Sequence, residues 1–473
     1  MKNNYTYICK TRQDKSYMGI PSYFNFILQN HASIINNIKH VRCDYLFVDS
    51  NSLIYDTIYE FEGEVPSDNQ VIYSKVYDKL NDLIALNNPS VLTYICFDGV
   101  PPLPKMYQQR QRRFKSLMTK KILNKNLEKT WNTNQITPGT DFMNHLDSFL
   151  VEKFANNPKV KFSGTFENGE GEHKICDYVR EHKDSMKNKN KVIYGLDADL
   201  VMLGLLLLLD SKNIFLYKET KHFSYISKVK EENNYYFNVG ELAEEIHVIL
   251  QNHNLEQSIC DYIFLCFLCG NDFMPHLPSI NIRNKGIDNL LKVYQDLNKN
   301  NKNNIIDVKK KSINWACLQR LFNVLSKFEM SATTQNIQWK LKYKRKLKPL
   351  NEEDKLNFLP CFDTQKEEFL LNNTQCYNQD ILQCDNIETY CRDYLKTLEW
   401  NWYYYNGILI SNHTFYEHAH GPLFADLMKY IPLCNGEMIH DNMESVVIDI
   451  APTTQLYFVL PIEDHAKIIP KKY

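Results

Sequence analysis

The strongest constraint on the fold of this 473-residue chain is an alternation of short apolar runs with amphipathic stretches between residue 18 and residue 294. The runs are rich in β-branched and aromatic residues, which favours buried strands, and the stretches between them have helical spacing. The predicted strands are 45–50, 91–99, 159–165, 191–197 and 213–219, and the clearest helices are 70–86, 141–154 and 173–183. This order predicts an α/β fold with a mainly parallel sheet flanked by helices.

The sequence beyond this part changes character. Residues 296–312 are polar, basic and of low complexity, which predicts a mobile loop. The remainder is rich in tyrosine and tryptophan and predicts a smaller, mostly helical region. We therefore expect a tail at 1–17, a core at 18–345, and a second region at 346–473 that packs on the core.

Composition excludes some classes of protein. A net charge of −1 excludes a protein that is basic throughout, so nucleic acid binding would require a local patch. The N-terminus lacks the apolar core of a signal peptide, and the run 200–209 is shorter than the ~20 residues that span a bilayer. Cys266 and Cys269 form a CxxC within an apolar run, which predicts core thiols rather than a zinc site. These features indicate a reduced, cytoplasmic protein without a membrane segment.

Acidic residues stand where three predicted strands end. They are Asp49, Asp98 and Asp197, and the carboxyl ends of parallel strands meet at one edge of a sheet. Any one of them could be an ordinary helix cap or turn residue. Four further acids end other buried elements or enter a helix: Glu170, Glu172, Asp199 and Asp272. Seven clustered carboxylates repel one another unless cations intervene, and they favour Mg²⁺ or Mn²⁺. Two such ions can catalyse phosphodiester hydrolysis.

A basic stretch follows Asp98. Between residues 105 and 129 it contains nine lysines and arginines against one acid, which is either a solvated helix face or a nucleic acid site. Lys105, Gln109, Arg112 and Arg113 have the spacing of one helical face. Such a face can bind a terminal phosphate, and the rest of the helix can follow a single strand.

Five ordered segments carry a resemblance to a known family. They are MGIPSYFNFILQ (18–29), DGVPPLPKMYQQRQRRF (98–114), GEGEHKICDYVR (169–180), YGLDADLVMLGL (194–205) and FLCFLCGNDFMPHLPS (264–279). The chain resembles the Xrn-type 5′→3′ exoribonucleases, whose catalytic core is similar to that of the PIN and flap nucleases. A weaker likeness extends to the end of the chain.

The resemblance implies an activity and a substrate. The seven acids match those that bind two Mg²⁺ ions, and the four residues of the basic face match a pocket for a 5′-monophosphate. It implies processive hydrolysis of single-stranded RNA to nucleoside 5′-monophosphates, as in the decay of decapped mRNA in the cytoplasm. No small-molecule cofactor is expected, and protein partners are left open.

The chain departs from the family pattern at the 5′-terminal base. Tyr55 stands where the family has a stacking histidine, and Asn412 or Thr414 stands where it has a stacking tryptophan. Tyr55 could still stack, at ~1–3 kcal/mol per base, or be an ordinary helix aromatic. Because the chain lacks the second aromatic side chain that would stack on the 5′-terminal base, we expect lower processivity than in the relatives.

Two other functions stay open. One is a structure-specific flap endonuclease acting on DNA, which the long matches at 98–114 and 169–180 disfavour. The other is a catalytically inactive RNA-binding scaffold, which the presence of all seven acids disfavours.

Overall fold

The computed structural model describes residues 23–36, 41–62, 64–122, 131–195, 197–219, 235–299, 303–346, 362–363, 368–369, 377–408, 411, 413–432 and 449–470. The predicted tail at 1–17 lies outside these residues. Contacts divide the chain into two compact units. The sheet unit comprises His31–Leu196, Leu200–Leu242 and Ile448–Tyr473, and the helical unit comprises Met1–Asn30, Asp197–Asp199 and Ala243–Val447. This grouping does not follow the predicted boundary at residue 345, which was drawn from the change in composition along the chain and stays a prediction.

The described strands form one seven-stranded sheet and two two-stranded sheets. They are β1 Ile35–Asn36, β2 Tyr45–Asp49, β3 Leu92–Cys96, β4 Val160–Ser163, β5 Lys191–Tyr194, β6 Ile214–Lys218, β7 Tyr235–Asn238, β8 Ile306–Asp307, β9 Ser312–Ile313, β10 Phe362–Asp363 and β11 Glu368–Phe369. The large sheet has the order β1-β7-β6-β5-β2-β3-β4. Its five predicted strands, β2 to β6, are parallel, whereas β7 and β1 add antiparallel pairs at one edge. The predicted α/β class with a mainly parallel sheet is confirmed.

The described α-helices are α1 Tyr23–Asn30, α2 Asn51–Glu60, α3 Asn69–Asn87, α4 Leu103–Ile122, α5 Asp141–Phe154, α6 Gly171–Glu181, α7 Lys183–Met186, α8 Asp199–Leu207, α9 Val239–Leu250, α10 Leu255–Phe267, α11 Gly286–Leu297, α12 Trp315–Ser326, α13 Glu329–Lys346, α14 Ile387–Tyr405, α15 Phe424–Leu427, α16 Pro452–Val459 and α17 Ile462–Ile468. Short 3₁₀ helices cover Ala32–Ile34, Thr133–Gln135 and Ile282–Asn284, and a π-helix covers Tyr377–Leu382.

Local sequence explains where these helices begin and end. Helix α3 begins after Asp68, whose side chain accepts a hydrogen bond from the backbone N–H of Gln70, and it ends at Asn88 in the left-handed conformation. Helix α5 is capped in the same way by Thr140, which accepts from Met143 N. Both helices bury one apolar face in the core beside β2 and β3, which holds the strand ends in place.

The helical unit has a core rich in large aromatic side chains. Trp315, Trp400 and Trp402 are fully buried, and the two tryptophans of α14 donate their indole N–H groups to Ser411 O at 2.5 Å and Lys311 O at 2.7 Å. The rings of Trp400 and Trp402 are therefore buried with their indole N–H groups satisfied. The predicted helical, aromatic-rich C-terminal region is confirmed.

The cysteines of the CxxC motif belong to this core. Cys266 and Cys269 are free thiols, both are buried, and neither belongs to a group of potential metal ligands within the part of the chain that the structure describes. The prediction of core residues is confirmed.

The prediction of a loop at 296–312 is wrong where Ile306–Asp307 and Ser312–Ile313 pair as strands β8 and β9, and its mobility stays a prediction. Ile305 and Ile306 are buried, and the Ile306 backbone N–H donates to the buried carboxylate of Asp261 at 2.9 Å. The Asn298 side chain donates to Asn304 at 2.9 Å. Two of its asparagines thus bond each other, and the backbone of Ile306 helps to satisfy a buried acid.

Among the residues described, no helix is long and apolar enough to cross a membrane.

Asp44, just before β2, provides a test of how the sheet is held at the edge where that strand begins. Its buried carboxylate accepts hydrogen bonds from Ser90 Oγ at 2.7 Å and from Asn190 N at 3.0 Å. Burial raises its pKa, but these bonds and the charge of Lys189 outweigh burial, and the pKa lies below its ordinary value. A carboxyl group whose pKa is lower in the folded chain than in the unfolded chain stabilises the fold at pH values above its unfolded-state pKa of about 4. That stabilisation is lost as the pH falls through the folded-state pKa.

We therefore expect Asp44→Asn to lower the free energy of unfolding by about 1 kcal/mol at pH 7. The difference from the wild-type chain should shrink at pH 3, where the wild-type carboxylate is losing its charge. Urea unfolding at both pH values measures this. A difference that is equal at pH 7 and pH 3 would contradict the prediction.

Candidate active site

Strands β2 and β3 bring two of the predicted acids to one edge of the sheet. The strands are parallel and in register, with Asp49, the last residue of β2, opposite Cys96, the last residue of β3. Asp98 follows two residues later. An ideal Cβ on Gly171 would lie 2.7 Å from Asp49 Oδ1 and 3.5 Å from Asp98 Oδ1. Both carboxylates therefore face the beginning of helix α6, as the sheet-edge rule predicts.

Asp98 is fixed through both of its carboxylate oxygens. Asn51 Nδ2 donates to Oδ2 at 2.6 Å, and the Gly171 backbone N–H donates to Oδ1 at 2.7 Å. The pKa of Asp98 is raised to about 6, first by burial and then by the Glu170 carboxylate, while the Gly171 N–H and Lys105 lower it. Crowded acids of this kind are stabilised in their ionised form by cations.

Helix α6 adds further potential ligands. Glu170 precedes the helix, Glu172 and His173 lie in its first turn, and all three are buried with ligand atoms within 4.8 Å of one another. The pKa of His173 is lowered to about 3, chiefly by burial and also by the charges of Arg180 and Lys105. Its imidazole is therefore neutral near pH 7 and can bind a metal.

Sequence reasoning missed His173. The signal that could have found it is its position directly after Glu172 in GEGEHK, within the same helical turn as a predicted ligand.

A second group joins the strand ends to helix α6. Carboxylate oxygens of Asp49, Glu172 and Asp197 all lie within 4.8 Å of one another, so Glu172 belongs to both groups. Asp49 is only 7% exposed. Asp197 is half-buried, whereas Asp49, Glu170 and Glu172 are buried. Together with the neutral imidazole of His173 these carboxylates form a donor set that fits a divalent cation, which would offset their mutual repulsion.

Three predicted metal ligands lie outside both groups within the described part of the chain: Asp98, Asp199 and Asp272. Asp98 contacts the site through the backbone N–H of Gly171, which donates a hydrogen bond to its carboxylate. Asp199 is buried and is the first residue of α8. Asp272 is half-buried in the turn after α10, in the helical unit. A metal-binding role for these three residues stays a prediction.

Gly171 permits the close approach of helix α6 to the acids, which gives a test of the site. In Gly171→Ala the new Cβ would displace Asp49 Oδ1, the end of a short side chain, while alanine suits the helix better than glycine. We expect metal-dependent activity to fall by about 10- to 100-fold, because small misplacements of reacting groups are costly. The melting temperature should stay near that of the wild-type chain.

Gly240→Ala is the matched control for this prediction. Gly240 also lies at the start of a helix, α9, where a Cβ would make only a tight contact of 3.3 Å with Asn238 Oδ1. Full activity in both variants would mean that Asp49 can move without consequence, which would argue against its place in the site.

Helix α4 carries the predicted phosphate-binding residues. All four lie within Leu103–Ile122, so their spacing places them on one side of a continuous helix. Lys105 Nζ lies 2.6 Å from Glu170 Oε1, and both side chains are largely buried. The basic face of α4 therefore begins in direct contact with the acidic site.

Arg113 is the most deeply buried residue of this face, at 8% exposure. Its Nη2 donates to Thr137 Oγ1 at 2.9 Å. Among the described residues its Nη1 has no hydrogen-bond partner, and neither has the buried Oε1 of Gln109. The pKa of Arg113 is lowered to about 10, first by burial. A buried guanidinium with an unused N–H group is a built site for an anion.

Tyr55 lies beside this arginine. It is half-buried on α2, packs against the core of the sheet unit, and interacts electrostatically with Arg113, which raises the pKa of that arginine against the effect of burial. Whether Tyr55 stacks on a base stays a prediction. Of the two residues aligned with the missing tryptophan, Asn412 lies outside the described residues, and Thr414 hydrogen-bonds Ser411 Oγ at 3.1 Å.

Other basic residues of α4 hold the last two helices rather than an open surface. Arg110 donates to Phe458 O, and its guanidinium lies over the rings of Phe114 at 4.6 Å and Phe458 at 5.3 Å. Lys121 Nζ lies 2.5 Å from Glu463 Oε1. Helices α16 and α17 thus pack on α4, through an apolar cluster that includes Leu456. Sequence reasoning placed this segment in the second region.

Curated relatives of the chain are exoribonucleases. It is 31% identical over 320 residues to 5′-3′ exoribonuclease 1 of Saccharomyces cerevisiae, which covers 59% of this chain and 21% of that protein. It is 32% identical over 320 residues to 5′-3′ exoribonuclease 1 of Homo sapiens, covering 59% and 18%. It is 28% identical over 372 residues to 5′-3′ exoribonuclease 2 of Aspergillus oryzae, covering 59% and 36%. The chain thus spans about a fifth to a third of the length of these relatives.

Among solved structures, the catalytic core of Rad2 in complex with a DNA substrate is similar at 14% identity. The match covers 62% of this chain and 76% of that one, with a TM-score of 0.35, which is too low to support an argument.

Two family models match the chain. The model of the XRN 5′-3′ exonuclease N-terminus matches residues 18–220, and the model of the Xrn1 helical domain matches residues 252–374. The two matches lie in the order expected for one family, together cover more than half of the chain, and include six of the seven acids in the first and Asp272 in the second. The chain belongs to the Xrn family of 5′-3′ exonucleases.

Proposed function

We propose that this chain is a metal-dependent 5′-3′ exoribonuclease that degrades single-stranded RNA bearing a 5′-monophosphate. The observation that carries the proposal is the contact between Lys105 and Glu170 at 2.6 Å. It joins a basic helix face, with the unused N–H of Arg113, to the potential metal ligands Glu170, Glu172 and His173, which all belong to the sheet unit. An anion held on α4 would thus lie next to groups suited to a divalent cation.

The acids would hold the metal. Asp49, Glu172 and Asp197 are the residues best placed for this, with Glu170 and His173 beside them. Two Mg²⁺ ions, or Mn²⁺, would supply an activated water and charge stabilisation of the leaving oxygen.

The residues of α4 would recognise the 5′ end. Lys105, Arg112 and Arg113 supply positive charge, and Gln109 adds a polar atom without a described partner. A terminal monophosphate can accept several charge-assisted hydrogen bonds from such a face. Because Arg113 is buried, we propose that capped and triphosphorylated ends are too large to enter.

The biological setting is also a proposal. Family membership supports RNA as the substrate and successive release of nucleoside 5′-monophosphates, as in the decay of decapped mRNA in the cytoplasm. The preference for RNA over DNA rests on the family alone.

One RNA in three forms tests the function. RNA with a 5′-monophosphate, a 5′-triphosphate or a 5′-hydroxyl is incubated with the full chain and Mg²⁺, with the Asp197→Ala, Asp199→Ala variant as control. We expect rapid loss of the monophosphate form alone, mononucleotide products, and no reaction with EDTA or with the variant.

Other outcomes would replace the proposal. Equal cutting of all three forms, or internal fragments, would indicate an endonuclease, to be followed by an assay on branched DNA. RNA binding without cleavage would indicate an inactive scaffold.

A further inference from the structure

A continuous series of hydrogen bonds links helix α17 to the turn that precedes α5. Asp464, on α17, accepts from Asn132 Nδ2 at 2.8 Å and from Asn134 Nδ2 at 2.7 Å. One carboxylate thus holds two side chains of the same turn, one on each oxygen. Asn132 Oδ1 also accepts from the backbone N–H of Asn134 at 3.0 Å, which fixes the turn locally.

The same turn holds the buried arginine of the basic face. Thr137 Oγ1 donates to Asn134 O at 2.7 Å and accepts from Arg113 Nη2 at 2.9 Å. A hydroxyl has one proton, and since Asn134 O accepts it, only lone pairs face the guanidinium. Thr137 is 1% exposed, so water does not replace either bond. These bonds orient the plane of Arg113 and leave its Nη1 as the unused donor.

The acid that starts this series lies outside the sequence matched to the family. The two family models end at residue 220 and residue 374, whereas Asp464 belongs to the last described helix. The hydrogen bonds of Asp464 go to the turn and not to α4, although its negative charge also raises the pKa of Arg113. Its neighbour Glu463 differs in this respect, because it pairs with the exposed Lys121 of α4 at 2.5 Å.

We propose that Asp464 is a positioning residue for recognition of the RNA 5′-phosphate, acting on Arg113 through Asn134 and Thr137. The inference rests on the proposed function, because it concerns the same phosphate-binding face. It adds that a segment outside both matched regions sets the specificity for the 5′ end. A purely structural role would instead affect all substrates alike.

The test compares four single variants of the full chain: Asp464→Asn, Thr137→Val, Thr137→Ser and the control Glu463→Gln. For each, KM and kcat are measured with 5′-monophosphate RNA and with 5′-hydroxyl RNA. We expect Asp464→Asn and Thr137→Val to lower kcat/KM for the monophosphate RNA by about tenfold, mainly through KM, since a buried donor loses its orientation or its acceptor. The rate on 5′-hydroxyl RNA should not change.

The remaining variants separate positioning from folding. Thr137→Ser keeps the hydroxyl group and should therefore keep the preference for the monophosphate RNA. Glu463→Gln removes a charge from α17, the helix that carries Asp464, and should also keep this preference. Because Asp464 and Thr137 act in one series, the double variant should lose no more preference than the stronger single variant.

The outcomes distinguish the inference from the proposed function. If the wild-type chain does not prefer the monophosphate, the proposed function is contradicted and the inference with it. If the wild-type chain prefers it and folded Asp464→Asn keeps that preference, only the inference is overturned. If Asp464→Asn does not fold, the comparison of Thr137→Val with Thr137→Ser decides, and equal preference in those two variants overturns the inference.

Discussion

Replacing Asp49 by asparagine is expected to reduce metal-dependent RNA hydrolysis by about a thousandfold or more. The carboxylate is buried and within 4.8 Å of two others, so its loss removes both a ligand and a charge that a divalent cation requires. Metal ions contribute several kcal/mol to such reactions, and each 1.4 kcal/mol is about tenfold in rate. Single-turnover rates on 5′-monophosphate RNA, at saturating Mg²⁺, measure the loss.

Asp44→Asn is the matched control, because Asp44 directly precedes β2, at the opposite end of that strand from Asp49. It should lose about 1 kcal/mol of stability and keep its activity. A second readout does not depend on activity. Mg²⁺ or Mn²⁺ should raise the melting temperature of the wild-type chain and raise that of Asp49→Asn less, because ligands stabilise the state that binds them. Equal metal-induced shifts in both chains would remove Asp49 from the metal site.

The second large effect is expected at Arg113. Arg113→Gln should lower kcat/KM for 5′-monophosphate RNA by about 10- to 100-fold, because hydrogen bonds between charged groups contribute about 1.5–3 kcal/mol. The rate on 5′-hydroxyl RNA should change little, so the preference between the two ends should nearly disappear. Competition between the two RNAs in one reaction measures that preference directly.

Arg42→Gln provides the control for lost charge. Arg42 carries the same group, but its side chain is 81% exposed and it lies before the beginning of β2. This variant should keep the preference. A folded Arg113→Gln that still favours the monophosphate would show that the terminal phosphate binds elsewhere.

The stability of Arg113→Gln is informative as well. Burying a guanidinium that has one nitrogen without a described partner is costly, and such a cost is typical of a site shaped for a ligand. We therefore expect the melting temperature of this variant not to fall by more than a few degrees, whereas activity falls strongly.

Short-range patterns in the sequence determined much of the fold. The predicted strands at 45–50 and 191–197 correspond to β2 and β5, and the predicted helix at 141–154 corresponds to α5. These elements are decided by periodicity, caps and turn residues within a few positions, which a sequence displays directly. The acids at strand ends were predictable for the same reason, because parallel strands must place their carboxyl ends together.

Tertiary structure decided what depends on distant residues. The sequence did not indicate that Asn298 and Asn304 would hydrogen-bond each other, or that Ile305 and Ile306 would be buried. It marked Arg113 as one of four residues on a phosphate-binding face, and burial with a single described hydrogen-bond partner is what distinguishes it from the other three. That hydrogen-bond partner, Thr137, lies 24 residues after Arg113 in the sequence.

The same holds for Asp464, which contacts Asn134 across 330 positions. The sequence by itself determined which elements form and which chemical groups are present. Only the folded chain decided which groups are neighbours, because burial and hydrogen bonding between distant segments are properties of packing and not of local pattern.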